Sequence, residues 1–77
     1  MQKDKLRLMG IEWENGFTVK VSVEENTVVI SANSEGLLSL ASQLTALANE
    51  STGSHIHYDE YNSLENNSSE MIIEKTE

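Results

Sequence analysis

Residues 53–62 read Gly-Ser-His-Ile-His-Tyr-Asp-Glu-Tyr-Asn and hold both histidines of the chain. Imidazole and carboxylate groups are ligands that zinc takes in proteins, so this spacing raises the question of a metal site. If the stretch is a β-strand, His55 and His57 lie on one face about 6.6 Å apart at Cα, and both could reach one ion. Asp59 then lies about 13 Å from His55, so a third ligand must come from a neighbouring strand.

A second β-prone run, residues 70–75, supplies that neighbour if the two runs form an antiparallel hairpin. In the register where apolar residues face one another, the opposed pairs are Ile56 with Ile73 and Tyr58 with Met71. The same register sets His55 opposite Glu74, which makes His55, His57 and Glu74 a weak candidate metal site. Two other interpretations stay open: a cross-strand ion pair, and a face that contacts a protein partner. We favour these two and expect neither a resident metal nor a cofactor.

Nothing in the sequence has the pattern of a catalytic site. The chain has no cysteine, which excludes a thiol nucleophile, a disulfide framework and a thiolate zinc site. It also has no nucleophile elbow, no Gly-x-Gly-x-x-Gly, no phosphate-binding P-loop and no His-Glu-x-x-His. A general base needs a neighbouring substrate and an environment that tunes its pKa, and 77 residues leave little room for both. We therefore predict no catalytic residues and a protein that is not an enzyme.

The chain is strongly acidic, because 13 Asp and Glu against 5 Lys and Arg give a net charge of −8. Nucleic-acid phosphates demand Lys and Arg, so we expect no nucleic-acid partner. The charge fits a basic protein partner, since opposite charge steers association, and it fits solubility equally well. No apolar run approaches about 18 residues and the first residues lack the apolar core of a secretory signal. We expect no membrane partner and a cytoplasmic location.

One segment has clear helical periodicity. Asn33 or Ser34 can cap its first turn, because a short side-chain oxygen accepts a free backbone N–H there. Gly53 follows its end as a stop signal. The pattern predicts an amphipathic helix at about residues 34–50, and the apolar residues at helical spacing that define its buried face are Leu37, Leu40, Ala41, Leu44, Leu47 and Ala48.

Strands are predicted on both sides of this helix. Residues 17–23 alternate apolar and polar side chains, and residues 27–32 are rich in β-branched residues. After the helix, residues 54–59 and 70–75 are β-prone, and the connection between them is rich in Asn and Ser and reads as a loop. An additional N-terminal strand at residues 5–13 stays open.

These elements predict an α+β fold in one small domain spanning residues 1–77, with a C-terminal hairpin at about residues 54–75. The expected architecture is ββ-α-ββ, with a single antiparallel-dominated sheet of four to five strands and the helix on one face. The apolar side chains expected to meet the helix are Phe17, Val19, Val21, Val28, Ile30, Ile56, Tyr58, Met71 and Ile73.

The other side of the third strand, together with the loop after it, is the candidate functional surface. It carries acids, amides and an aromatic side chain, and loops on a rigid scaffold often carry function. Aromatic anchors often supply binding energy at such surfaces. The predicted partner-binding residues are His55, His57, Asp59, Glu60, Tyr61, Asn62, Leu64 and Glu65.

Two stretches resemble a known family. Thr-Val-Val-Ile-Ser-Ala-Asn with the following Gly-Leu-Leu-x-Leu-Ala helix, and then Gly-Ser-His-Ile-His-Tyr-Asp-Glu-Tyr with Glu-Met-Ile-Ile-Glu, resemble the immunity protein 32 family of bacterial polymorphic toxin systems. The resemblance runs from about residue 28 to residue 75. The Gly-Ser-His-x-His-x-Asp-Glu motif is its most distinctive part, whereas many helices share the helix pattern.

The resemblance implies a non-enzymatic inhibitor that binds and neutralises a cognate protein toxin inside the producing cell. A basic, nuclease-like toxin would suit so acidic a chain. The alternatives are a small metal-binding protein or metal-dependent enzyme using the His-x-His strand, and a self-associating structural module. A homodimer is compatible with each of these functions, because a single helix leaves sheet surface open.

Overall fold

The computed structural model describes residues 12–77 of the chain. Its elements, in chain order, are β1 (Val19–Glu24), β2 (Thr27–Ala32), α1 (Ser34–Ala48), β3 (His55–Tyr58) and β4 (Met71–Glu74). The mixed α+β class agrees with the prediction. The additional strand suggested at residues 5–13 lies outside the described residues, apart from its last two positions.

The strands form two separate antiparallel pairs, β1 with β2 and β3 with β4. The first pair closes through a tight turn in which Glu25 adopts the left-handed conformation, with φ of 57°. The prediction of a single sheet of four to five strands was therefore wrong. No helix among the described residues has both the length and the apolar character needed to cross a membrane.

The connection between β3 and β4 explains why the sheets stay apart. Residues 65–69 of this connection lie along the edge of β1 that faces away from β2. Glu65 N donates to Val19 O at 2.9 Å, and Ser69 N donates to Val21 O at 2.7 Å. Val21 N in turn donates to the Ser68 hydroxyl at 3.2 Å. Because these bonds occupy the edge of β1, neither β3 nor β4 can pair with it.

Asn33 caps α1 and ties it to the first hairpin. Its Oδ1 accepts from Gly36 N at 2.8 Å, which satisfies a free donor of the first helical turn. The same oxygen accepts from Thr18 N at 2.9 Å, and the amide Nδ2 donates to Gly16 O at 2.9 Å. One side chain thus fixes where the helix begins and how it approaches β1.

The helix start packs so closely on β1 that Gly36 has no room for a side chain. A Cβ at this position would lie 2.4 Å from the backbone oxygen of Thr18 and 2.9 Å from a methyl group of Val19. The helix ends at Ala48, two residues before the predicted end. There the Lys75 ammonium donates to the backbone oxygens of Ala48 and Glu50, both at 2.8 Å, and supplies the positive charge that a helix C-terminus favours.

The buried face of α1 differs from the predicted one. Leu40 and Leu47 are buried as expected, but the positions beside them on the buried face are Gly36, Ser39 and Gln43. The other predicted residues, Leu37, Ala41, Leu44 and Ala48, are exposed.

Backbone groups of residues 12–14 explain why the helix buries Ser39 and Gln43. Glu14 N donates to the Ser39 hydroxyl at 2.8 Å, and the Gln43 amide donates to Glu12 O at 2.8 Å. Polar side chains can be buried when they form hydrogen bonds with backbone groups, because no donor or acceptor is then left unpaired. Apolar periodicity alone does not reveal such partners.

The core lies between α1, β1 and β3. Trp13 and Phe17 stack beside it with ring centroids 4.2 Å apart. Val28 and Ile30, which were predicted to meet the helix, are instead exposed, whereas Val19 and Val21 of β1 are buried and Ala32 at the end of β2 packs against the core. The buried apolar residues are Val19, Val21, Leu40, Leu47, Ile56, Tyr58 and Leu64.

Candidate functional site

The C-terminal hairpin has the predicted register. His55 pairs with Glu74 and His57 with Ile72, while the core-side pairs are Ile56 with Ile73 and Tyr58 with Met71. Matching of apolar residues across the two strands therefore determined the pairing correctly. His55 and His57 point away from the core, as the alternation of a strand requires.

The core side of β3 is structural. Ile56 and Tyr58 are almost completely buried. Burial raises the pKa of the Tyr58 phenol to about 12. Its hydroxyl therefore stays protonated at neutral pH and donates to Gln43 Oε1 at 2.8 Å. Trp13 meets the same ring edge-on at 6.1 Å, which leaves the tyrosine no access to a ligand.

The polar side of β3 carries a cluster of one imidazole and two carboxylates. His57 Nε2 contacts a carboxylate oxygen of Glu70 and lies 3.7 Å from Asp59 Oδ2. One ligand-type atom from each of these residues lies within 4.8 Å of the other two. Among residues 12–77, this group replaces the predicted combination of His55, His57 and Glu74 as the place where metal-ligating atoms meet.

The chain geometry explains why Asp59 and Glu70, rather than His55 and Glu74, join His57 in the cluster. Asp59 directly follows β3 and Glu70 directly precedes β4, so both stand at the open end of the hairpin. The chain turns at Asp59, which brings its carboxylate back towards His57. The signal that could have identified Glu70 is the predicted register itself, which sets Glu70 opposite Asp59.

This cluster has two chemical capabilities. A protonated His57 would form ion pairs with both carboxylates, and exposed pairs of this kind contribute about 1 kcal/mol or less each. A neutral His57 with the two carboxylates offers one nitrogen and two oxygen ligands, a set that zinc accepts at Zn–N and Zn–O distances near 2 Å. The side chain of Glu70 is the most exposed of the three, at 63%.

Asp59 also organises the turn that follows β3. Its Oδ1 accepts from Tyr61 N at 2.9 Å and from Asn62 N at 3.0 Å. Its backbone oxygen accepts from Leu64 N at 2.9 Å. Asn62 closes the turn from the other side, because its Nδ2 donates to His57 O at 2.9 Å. These bonds hold residues 59–64 in one conformation.

The turn has one anchored end and one exposed tip. Leu64, which was predicted to contact a partner, is only 5% exposed and packs in the core. A leucine within an Asn- and Ser-rich loop closes the turn onto the core. Tyr61, by contrast, is 96% exposed.

The remaining predicted partner-binding residues are accessible. His57 and Asp59 are half-buried at the base of the turn. Glu60 is exposed, and its carboxylate accepts from Asn67 N, which braces the tip of the turn against the rest of the connection. The exposed residues are His55, Glu60, Tyr61, Asn62 and Glu65.

A family model described as immunity protein 32 matches residues 27–76, which span β2 to the end of β4. No curated protein and no solved structure matches the chain. The match covers well over half of the chain and includes the polar cluster, the turn at Asp59 and the exposed Tyr61.

Proposed function

This chain belongs to the immunity protein 32 family, a family of immunity proteins of toxin systems, and on that premise we propose that it binds and neutralises one cognate protein toxin. The proposed mechanism is occlusion, in which the bound chain covers a functional surface of the toxin without chemical change to either protein. We further propose that it acts in the cytoplasm of the cell that makes the toxin.

The observation that carries the proposal is the presentation of Tyr61. An aromatic ring that is 96% exposed stands at the tip of a turn held by Asp59 and anchored by buried Leu64. Tyrosine is among the residues that supply most binding energy at protein interfaces. A turn that is already ordered loses little conformational freedom on binding. The geometry supports a preorganised contact with a partner surface.

The charge supports a basic partner. Twelve of the 13 acidic residues and two of the 5 basic residues lie within residues 12–77, a balance of −10. Of these two cations, Lys75 is already bound to the end of α1. A partner with a basic surface, such as a nuclease-like toxin, would be attracted to this chain at long range.

Binding to a candidate cognate toxin tests the proposal, with the affinity measured by isothermal titration calorimetry. Tyr61→Ala should weaken binding by about 2 kcal/mol or more. Tyr61→Phe, which keeps the ring and removes only the hydroxyl, is the matched control and should lose much less. Equal affinities for wild type and Tyr61→Ala, with both proteins folded, would move the contact surface away from this turn.

A second candidate function is metal binding at His57, Asp59 and Glu70, which the proximity of their ligand atoms favours. Zinc titrated into the wild type and into Glu70→Gln separates the two candidates. Stoichiometric, tight binding that Glu70→Gln abolishes would favour a metal protein. Glu74→Gln, across from His55, is the matched control because its carboxylate lies outside the cluster.

A homodimer stays compatible with toxin binding. Sedimentation of the purified chain at tens of micromolar distinguishes a monomer from a dimer, and a single monomeric species would remove the self-associating module from consideration.

A further inference from the structure

The outer edge of β2 carries backbone groups that no residue from 12 to 77 pairs. Asn33 N donates to Thr18 O, and hydrogen-bonded pairs alternate with non-bonded pairs along an antiparallel ladder. The ladder between β1 and β2 therefore runs through Ser31, Val29 and Thr27, which pair with alternate residues of β1. The N–H and C=O groups of the intervening Val28 and Ile30 point away from β1.

Within residues 12–77, this edge also lacks the features that usually protect a sheet edge. Exposed edge strands are commonly blocked by lysine, proline, a bulge or a covering segment. Thr27–Ala32 contains no charge and no proline. Val28 is 61% exposed and Ile30 is 43% exposed on one face, with Val29 exposed on the other. The opposite edge of the hairpin, on β1, is covered by residues 65–69.

Acidic residues flank the edge at both ends. Glu24 and Glu25 stand at the turn that begins β2, and Glu35 stands in the first turn of α1 just after β2 ends. All three are exposed. An added strand would therefore be apolar at its centre and basic at its ends.

A second copy of this chain fits the edge poorly. Two β2 strands paired antiparallel about a two-fold axis would bring the Glu25 turn of one copy towards the Glu35 end of the other, at both ends of the interface. That like-charge contact adds to the repulsion between two chains of net charge −8 each. An extended segment with alternating apolar residues and flanking Lys or Arg satisfies both the edge and its charges.

We propose that the outer edge of β2 receives an extended, basic segment of the toxin as an added strand, hydrogen-bonded to the backbone of Val28 and Ile30. This inference rests on the proposed function and specifies its contact. Main-chain bonds of this kind supply affinity, while alternate side chains supply specificity. The edge and the 65–69 segment lie on opposite sides of β1, about 10 Å apart at two inter-strand spacings, so one partner can span both.

The test uses the full chain and a purified candidate cognate toxin. Val28→Pro removes the outward-pointing N–H, a group that takes no part in the ladder to β1, although the proline ring also fixes φ at about −65°. Val28→Thr is the matched control, because it keeps both the N–H and the β-branched shape. We expect Val28→Pro to weaken toxin binding about tenfold or more, and Val28→Thr to bind within about twofold of wild type.

Amide hydrogen exchange of the wild type gives a second readout that does not depend on a variant folding. Toxin binding should slow exchange at Val28 and Ile30, while Val29 and Ser31, whose N–H groups already bond to β1, should change little. If Val28→Pro proves unfolded by circular dichroism, this measurement decides the proposal by itself.

The remaining outcomes each overturn a distinct statement. Failure of the wild type to bind the toxin overturns both this inference and the proposed function. Wild-type binding that leaves exchange at Val28 and Ile30 unchanged overturns the added strand and leaves the function standing. Slow exchange at these amides in the free monomer would mean that this chain already covers the edge, and slow exchange in a free dimer would identify a second copy as the occupant; either result overturns the inference.

Discussion

Asp59 connects the polar cluster to the exposed turn. One carboxylate oxygen accepts two backbone N–H groups of the turn, and the other faces His57 at 3.7 Å. Hydrogen bonds to a charged acceptor are stronger than neutral ones, so this residue orders the turn efficiently. Any ion held by the cluster would share this carboxylate with the turn, which couples the two features. The presentation of Tyr61 therefore depends on a residue that need not touch the partner.

The buried phenol of Tyr58 makes stability depend on pH above neutrality. Its pKa is raised from 10.0 to about 12 in the folded chain by burial. The folded state therefore holds this proton more tightly than the unfolded state, so the contribution is complete below pH 10 and is lost as the pH rises towards 12. Chemical denaturation should show the free energy of unfolding falling by about 2 kcal/mol across this range.

Tyr58→Phe is the control for this pH dependence, because it removes the titrating group and keeps the ring. The lysines also lose charge in this range, so the quantity to compare is the difference between wild type and variant. A difference that stays constant from pH 9 to pH 12 would contradict the role of burial.

The connection between β3 and β4, residues 59–70, has no helix or strand of its own but contacts several elements of the fold. Residues 59–70 cap β3, brace the edge of β1 and lead into β4. Leu64 is the buried side chain in this connection, and it packs with residues of β1, α1 and β3. The connection is therefore a structural part of the fold as well as the carrier of Tyr61.

Leu64→Ala should loosen the connection and weaken toxin binding together. A buried leucine replaced by alanine costs about 2 to 5 kcal/mol of stability, a large share of what so small a domain can have. Leu38→Ala is the matched control, since Leu38 is 64% exposed on the helix surface. Thermal unfolding measures both variants. Equal melting temperatures for the two would contradict the anchoring role of Leu64.

Local patterns in the sequence predict local structure well in this chain. Helical periodicity and the capping capacity of Asn33 located α1, and apolar pairing located the register of β3 with β4. The separation of the two sheets was not predictable in this way, because backbone bonds from residues 65–69 decide it. The buried face of α1 was misjudged because Ser39 and Gln43 are satisfied by backbone groups distant in sequence.

The same contrast applies to the candidate site. The polar side of β3, the turn and Tyr61 followed from alternation and composition alone. The role of Glu70 in the cluster depends on how the chain turns at Asp59, and the burial of Leu64 depends on long-range packing. A short sequence motif therefore predicts neither the role of Glu70 nor the burial of Leu64.

At the scale of the whole molecule, charge is the dominant feature. Residues 12–77 carry −10, and their acids lie on several surfaces rather than in one ordered network. The electrostatic field of these negative charges accelerates association with a basic partner, and dissolved salt screens it. It also disfavours self-association, which is consistent with the proposed binding of a toxin by the free chain.

Salt should therefore weaken toxin binding. We expect the dissociation constant to rise about tenfold between about 0.05 M and 0.5 M NaCl, mainly through a slower association rate. Tyr61→Ala removes no charge, so its salt dependence should parallel that of the wild type at a lower affinity. Surface plasmon resonance measures both rates. An affinity that does not change with salt would contradict electrostatic attraction.

The central claim is that this chain neutralises its toxin by binding it. The most direct measurement titrates the purified chain into a fixed amount of a candidate cognate toxin and follows the residual toxin activity. Occlusion predicts that activity falls linearly and reaches its minimum at one chain per toxin. Full toxin activity at a large excess of the folded chain would contradict the claim, and complete inactivation by a small fraction of one equivalent would show a catalytic protein instead.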